Sequence, residues 1–126
     1  MTAPKSRRND NFCTSSWSCH GGWCWKKVTP LLRKYSNNVY FPTLTDLGER
    51  SHLVSRDIDL YTHILDITQV LEYEDLDEVI LVGYSYGGLV ISGVAERIHE
   101  RIKCLVYLDG YVYPKITKVP LILYLA

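Results

Sequence analysis

The sequence predicts an α/β fold built on a parallel sheet, and three observations carry that reading. Residues 79–82 form a continuous apolar run rather than an alternating one, as a strand buried on both faces requires, and residues 102–108 read as another apolar strand. Helical patterns over 58–73 and 86–99 interleave with these runs, so helices and strands alternate along the chain. The composition is that of an ordinary globular domain: 126 residues, 47% hydrophobic and 22% charged. Fourteen basic residues balance fourteen acidic ones, and no basic stripe is present, so neither nucleic acid nor an anionic membrane surface is an expected partner. No apolar run approaches the roughly 20 residues that span a membrane. Lys5, Arg7 and Arg8 are not followed by an apolar stretch, so no secretory leader is read and a cytoplasmic location is expected. The length suits one domain.

Residues 1–18 are polar and without sustained period, and are read as irregular. Over 22–35, Trp25, Val28, Leu31, Leu32 and Tyr35 recur at helical spacing, with Pro30 in an early turn where proline is tolerated. A helix of about three turns is predicted there. Asn37-Asn38 marks a turn into a short strand, Val39-Tyr40-Phe41, closed by Pro42. Residues 43–56 read as a polar loop pivoting at Gly48. In the helix over 58–73, Leu60, Ile64, Ile67, Val70 and Leu71 share a face, and Asp57 or Asp59 is available as a cap. The run 79–82 then leads through Gly83 into the helix over 86–99, whose face holds Leu89, Val90, Gly93, Val94 and Ile98. The strand over 102–108 stops at Asp109-Gly110. The apolar tail, 119–125, could serve as a surrogate strand, which Pro120 confines to a sheet edge.

The four cysteines, Cys13, Cys19, Cys24 and Cys104, form no C-x-x-C pair and no paired Cys/His spacing. They are read as free thiols in or near the core, with no metal and no other cofactor expected.

The chemistry is concentrated in Gly83-Tyr84-Ser85-Tyr86-Gly87-Gly88, a G-x-S-x-G placed between a buried strand and a helix. Such a turn must be sharp, and it strains the serine so that Oγ projects outward. Side chains at Gly83 or Gly87 would collide with neighbouring backbone. The N–H of Tyr86, at a helix N-terminus, is placed to stabilise an oxyanion. Three fixed letters occur by chance in about one chain in 25 of this length, and the strand-before, helix-after context removes most of that chance. A glycine-rich packing turn is the structural alternative, whereas G-x-G-x-x-G and the P-loop lysine are absent.

Together with this motif, His20-Gly21-Gly22-Trp23-Cys24-Trp25 and the stretch from Pro42-Thr43-Leu44-Thr45 to Leu47-Gly48-Glu49-Arg50-Ser51-His52 resemble the α/β-hydrolase fold. More narrowly, the chain is similar to small esterases near the plant methylesterase and hydroxynitrile lyase group. The resemblance implies a partial α/β-hydrolase core over 20–114, a parallel sheet with flanking helices whose later strands are missing. It implies Ser85 as nucleophile, the Tyr86 N–H as an oxyanion donor, and a small-molecule ester or acyl substrate. Tyr84 stands where the family usually has histidine.

In this fold the acid and the histidine follow the serine. His99 is the sole histidine after Ser85; fourteen residues along, it is expected roughly 20 Å away and acts as a helix C-terminal cation. His20, His52 and His63 precede the serine and are read as non-catalytic. Asp109, at a strand end, is a doubtful triad acid and more readily a turn residue. Counting back from His20 puts Ser16-Trp17 where the family has His-Gly, after Phe12-Cys13-Thr14-Ser15, a poor strand by pattern. The codon table permits TTT TGT ACT AGT TCA TGG AGC for 12–18, a choice of codons that, read one base later, gives Phe-Val-Leu-Val-His-Gly and then alanine. From the third base of the Pro114 codon, Glu-Asp-Asn-Gln-Ser is permitted. The expectation is therefore an out-of-frame segment over 1–19, the partial domain over 20–114 and an aberrant apolar tail over 115–126, in a truncated chain that is inactive for want of a base. The alternatives are a pseudo-hydrolase that binds a small molecule around Trp23 and Ser85, or a product that does not fold.

Overall fold

The structure, a computed structural model, describes residues 10–15, 21–35, 37–110 and 119–124. Five strands, β1 (Asn11–Ser15), β2 (Asn38–Tyr40), β3 (Val79–Tyr84), β4 (Ile102–Leu108) and β5 (Leu121–Tyr124), form one sheet in the order β2-β1-β3-β4-β5. Every neighbouring pair is parallel. The helices are α1 (Thr29–Lys34), α2 (Leu60–Tyr73) and α3 (Gly87–Ile98). The sheet thus grows in one direction from β1 to β2 and in the other from β3 to β5. The reversal falls between β1 and β3, the point in an open parallel sheet where carboxyl ends leave a crevice.

The expectation of apolar strands buried on both faces holds fully on one face only: on the other, Ile80, Cys104, Val106 and Leu108 are half-buried. Val79, Leu81, Val82, Leu105 and Tyr107 are buried, as are Ile67 and Leu71 of α2 and Val90, Ile91, Val94 and Ala95 of α3. The predicted cap of α2 is Asp59, in a reciprocal capping box with Thr62: Asp59 Oδ1 accepts from the Thr62 N–H at 3.0 Å, and the Thr62 hydroxyl oxygen accepts from the Asp59 N–H at 3.3 Å. Helices α2 and α3 meet at Gly93, where a Cβ would run into the Ile64 side chain.

Several elements differ from the sequence expectation. The segment read as irregular contains β1, and Phe12-Cys13-Thr14-Ser15 is one of the sheet's inner strands. Its main chain pairs with β2 on one side and β3 on the other, and that two-sided pairing outweighs weak local propensity. Cys13, Thr14 and Ser15 are buried, and Ser15 Oγ has no hydrogen-bond partner. The three-turn helix over 22–35 is instead a 3₁₀ turn (Gly22–Trp25) followed by the six-residue α1, because Pro30 has to sit in the first helical turn. The face assigned to its core is exposed at Val28, Leu31 and Tyr35, and Thr29 is buried in its place. The 43–56 loop holds a further 3₁₀ stretch, Gly48–Leu53. Of the cysteines, Cys13 is buried and Cys104 half-buried, but Cys24 is exposed. The tail supplies β5 at the edge beside β4. His20, Ser16, Trp17 and Cys19 lie outside the described residues, as do 115–118 and the last two positions of the tail. No helix among the described residues is long and apolar enough to cross a membrane.

Candidate active site

The site begins at the carboxyl end of β3, next to the sheet's reversal point, where Ser15 of β1 pairs in register with Gly83. Tyr84 ends the strand, and Gly87 opens α3. Only two residues make the turn, and Ser85 adopts φ 52°, in the left-handed region that side chains rarely visit. The turn is pinned by main-chain hydrogen bonds. The Ser85 N–H donates to the Leu108 carbonyl of β4 at 3.2 Å, and the Gly88 N–H donates to the Ser85 carbonyl at 2.9 Å.

Of the motif's glycines, Gly83 has a steric reason. A Cβ on Gly83 would lie 2.6 Å from the Gly87 carbonyl oxygen, 2.7 Å from its carbon and 2.8 Å from the Gly88 nitrogen, all main-chain atoms. Strand and helix can come this close only without that side chain. From beneath, Ser92 of α3 donates to the Gly88 carbonyl at 2.7 Å. Its one proton being used there, Ser92 Oγ accepts from the buried Tyr107 hydroxyl of β4, also at 2.7 Å.

Tyr86 caps α3 in helical conformation. The first N–H groups of a helix have no intrahelical acceptor, and among the described residues no main-chain carbonyl takes the Tyr86 N–H. Its side chain turns to α2. Tyr86 Oη lies 2.6 Å from His63 Nδ1, with the rings edge to face at 5.6 Å. Burial first, and then the carboxylates of Asp46 and Asp59, push the Tyr86 phenol up to about 12, so it remains a hydroxyl at neutral pH.

His63 is the residue whose surroundings the sequence left unread. Buried on α2, it points Nε2 at two acceptors, the Thr45 carbonyl at 2.8 Å and Asp46 Oδ1 at 3.1 Å. Two acceptors require a proton on Nε2. In the neutral ring Nδ1 is then the lone-pair nitrogen, and the Tyr86 hydroxyl donates to it. The lone pair that a general base needs is therefore engaged by Tyr86, and no hydrogen bond links His63 to Ser85. The one signal in the sequence was a polar residue one turn from Ile67 on the core side of α2.

The other candidates are spread out. His99 is the C-cap of α3, twelve residues past Gly87 and therefore roughly 18 Å from the elbow. Its Nδ1 lies 3.8 Å from Glu100. His52 is exposed in the 3₁₀ stretch after Gly48. Asp109 is exposed just past β4 at φ 48°, and no ion pair with a described histidine involves it. Among the described residues no group of three His, Cys, Asp or Glu side chains is placed to hold a metal ion.

An open parallel sheet with a strained serine between strand and helix, at the sheet's reversal point, defines an α/β protein of the nucleophile-elbow type. The sequence model described as the alpha/beta hydrolase family matches residues 18–125. The chain belongs to the alpha/beta hydrolase family. It is 49% identical over 102 residues to the carbendazim hydrolyzing esterase of Nocardioides sp. (strain SG-4G), covering 81% of this chain and 42% of that protein. It is 34% identical over 113 residues to methylesterase 1 of Arabidopsis thaliana, covering 86% of this chain and again 42% of the relative. Among solved structures, tomato methylketone synthase I superposes with a TM-score of 0.75 at 27% identity, over 87% of this chain and 43% of that one. The chain thus spans a little over two-fifths of the relatives it matches.

Proposed function

We propose that this chain carries the nucleophile side of a serine-hydrolase site acting on an ester or related acyl bond of a small molecule. The observation behind this reading is Ser85 at φ 52° in the strand-to-helix turn, followed by a Tyr86 N–H that no described main-chain carbonyl engages. The ester class is supported by the names of two relatives, an esterase and a methylesterase. In the proposed reaction Ser85 Oγ attacks the acyl carbon, and the carbonyl oxygen, becoming an oxyanion, is held by the Tyr86 N–H. The serine proton has to go to a base. His63 has its lone pair engaged, His99 is at the far end of α3, and no later histidine occurs in the 126 residues. By itself the chain is therefore proposed to be inactive, with Ser85 an ordinary alcohol and Asp109 a turn residue.

A fluorophosphonate probe followed by peptide mass spectrometry tests both halves of the reading. Slow, substoichiometric labelling that maps to Ser85 and disappears in Ser85→Ala is expected. Rapid stoichiometric labelling of Ser85 would overturn the inactivity, and labelling confined to other residues would overturn the nucleophile assignment. Saturable thermal stabilisation by a small ester without turnover would favour a binding role instead.

A further inference from the structure

We propose that His63 is a positioning residue: locked as one tautomer between the 45–46 segment and Tyr86, it holds the residue carrying the oxyanion-facing N–H to α2. This rests on the reading of Tyr86 as oxyanion donor, but its structural content can be tested without any reaction at Ser85.

The lock has three parts. The 45–46 segment is fixed first. Asp66, one turn beyond His63 on α2, accepts from the Thr45 N–H at 2.6 Å and from the Thr45 hydroxyl at 2.8 Å. The same helix face therefore grips Thr45 twice, through Asp66 and through His63 Nε2, which donates to the Thr45 carbonyl. Asp46 then bends its backbone into the left-handed region, at φ 70°, a conformation that aspartate adopts more readily than most residues. That bend is associated with a carboxylate oxygen 3.1 Å from Nε2. With the Asp46 side chain 15% exposed and that of His63 8% exposed, little water competes for the ring. Finally, Nδ1 receives the Tyr86 hydroxyl, and the edge-to-face contact of the two rings limits rotation of the phenol about its axis.

The consequence concerns orientation. An oxyanion donor works by being aimed before charge develops. Tyr86 is the first residue after the strained serine, and α3 has no side-chain N-cap of its own. What steadies this end of α3 on the α2 side is the Tyr86–His63 pair, while Ser92 and Tyr107 steady Gly88 from the sheet side. His63 does not touch the reacting atoms in this scheme. It acts through Tyr86.

The test is nuclear magnetic resonance on the whole ¹⁵N-labelled chain. At alkaline pH, where an imidazole is neutral, two-bond ¹H–¹⁵N correlations should show His63 as a single Nε2–H tautomer. An Nδ1–H ring, or averaged shifts from tautomer exchange, would overturn the lock. Amide hydrogen exchange reads the positioning. His63→Leu and Tyr86→Phe should speed exchange of the Gly88 and Leu89 amides, which donate to the Ser85 and Tyr86 carbonyls, several-fold, up to about tenfold, the range one net hydrogen bond carries. Val82 and Leu105, in the sheet core, should keep their rates. His63→Asn, which keeps an acceptor near the Nδ1 position, should restore much of the protection. Equal acceleration at Val82 and Leu105, or no rescue by asparagine, would reduce His63 to a packing role and overturn the proposal. None of these outcomes depends on probe labelling of Ser85, so the two readings fail separately.

Discussion

Ser85 occupies a left-handed backbone conformation, and that conformation carries a cost of about 1–2 kcal/mol for any residue with a Cβ. Four hydrogen bonds at the turn oppose relaxation: those from the Ser85 and Gly88 amides, the one from Ser92, and the one from Tyr107. Replacing Ser85 by glycine should therefore give a more stable chain than replacing it by alanine, although both remove the hydroxyl. The expected gap in urea-denaturation free energy is about 1 kcal/mol or somewhat more. Equal stabilities for the two variants would mean that the turn holds no such strain. At this scale the sequence is informative about the serine, because G-x-S-x-G states a geometric need. It was silent about His63, since a ring in an amphipathic pattern does not announce which acceptors a distant loop will bring to it.

At the scale of elements, the close approach of β3 and α3 depends on Gly83. Its missing side chain leaves room for the Gly87 peptide, whose atoms belong to the first turn of the helix and cannot move aside independently. Gly83→Ala should destabilise by about 3 kcal/mol, the upper part of the usual range for overpacking. Gly110→Ala is the internal comparison: its Cβ would come no closer than 3.2 Å to any neighbour outside its flanking residues, and its φ is not left-handed. The cost there should be well under half as large, and similar costs at the two positions would contradict the steric account. The elements legible in the sequence were those with their own strong pattern: α2 with its capping aspartate, the β-branched run of β3, α3, and β4. β1 was illegible because it is short and lacks such a pattern, and α1 was read within a helix that was predicted too long. β1 is a strand because two neighbours complete its main-chain bonding, and α1 is brief because Pro30 allows a helix to begin but not to pass through it.

For the whole molecule, the packed interior keeps acidic groups neutral. Burial raises the Cys13 thiol from 9.0 to about 12, and burial, followed by two nearby carboxylates, raises Tyr86 from 10.0 to about 12. Cys104 and Tyr107 are also raised, in each case chiefly by burial. In the unfolded chain these groups ionise at their ordinary values while the folded state retains their protons. The folded state then binds more protons, so stability is full below about pH 9 and falls as pH rises towards 12. The midpoint of thermal unfolding should hold steady to about pH 8.5 and then decline, and Cys13→Val should make the decline shallower. An unchanged slope in that variant would show that Cys13 is not a source of it.

By itself the sequence determined the α/β class, the parallel strands, the elbow and its serine, because each follows from local spacing or from the conformational needs of glycine and serine. It also placed His99 out of reach of Ser85, which is arithmetic on one helix. Only the tertiary structure decided that a weakly patterned segment, Asn11–Ser15, is an inner strand, and that the reversal point brings its end beside Gly83. Only the tertiary structure, likewise, set His63 between Thr45, Asp46 and Tyr86. Hydrogen bonds between residues 17 to 23 positions apart depend on where whole elements pack, and no local pattern encodes that placement.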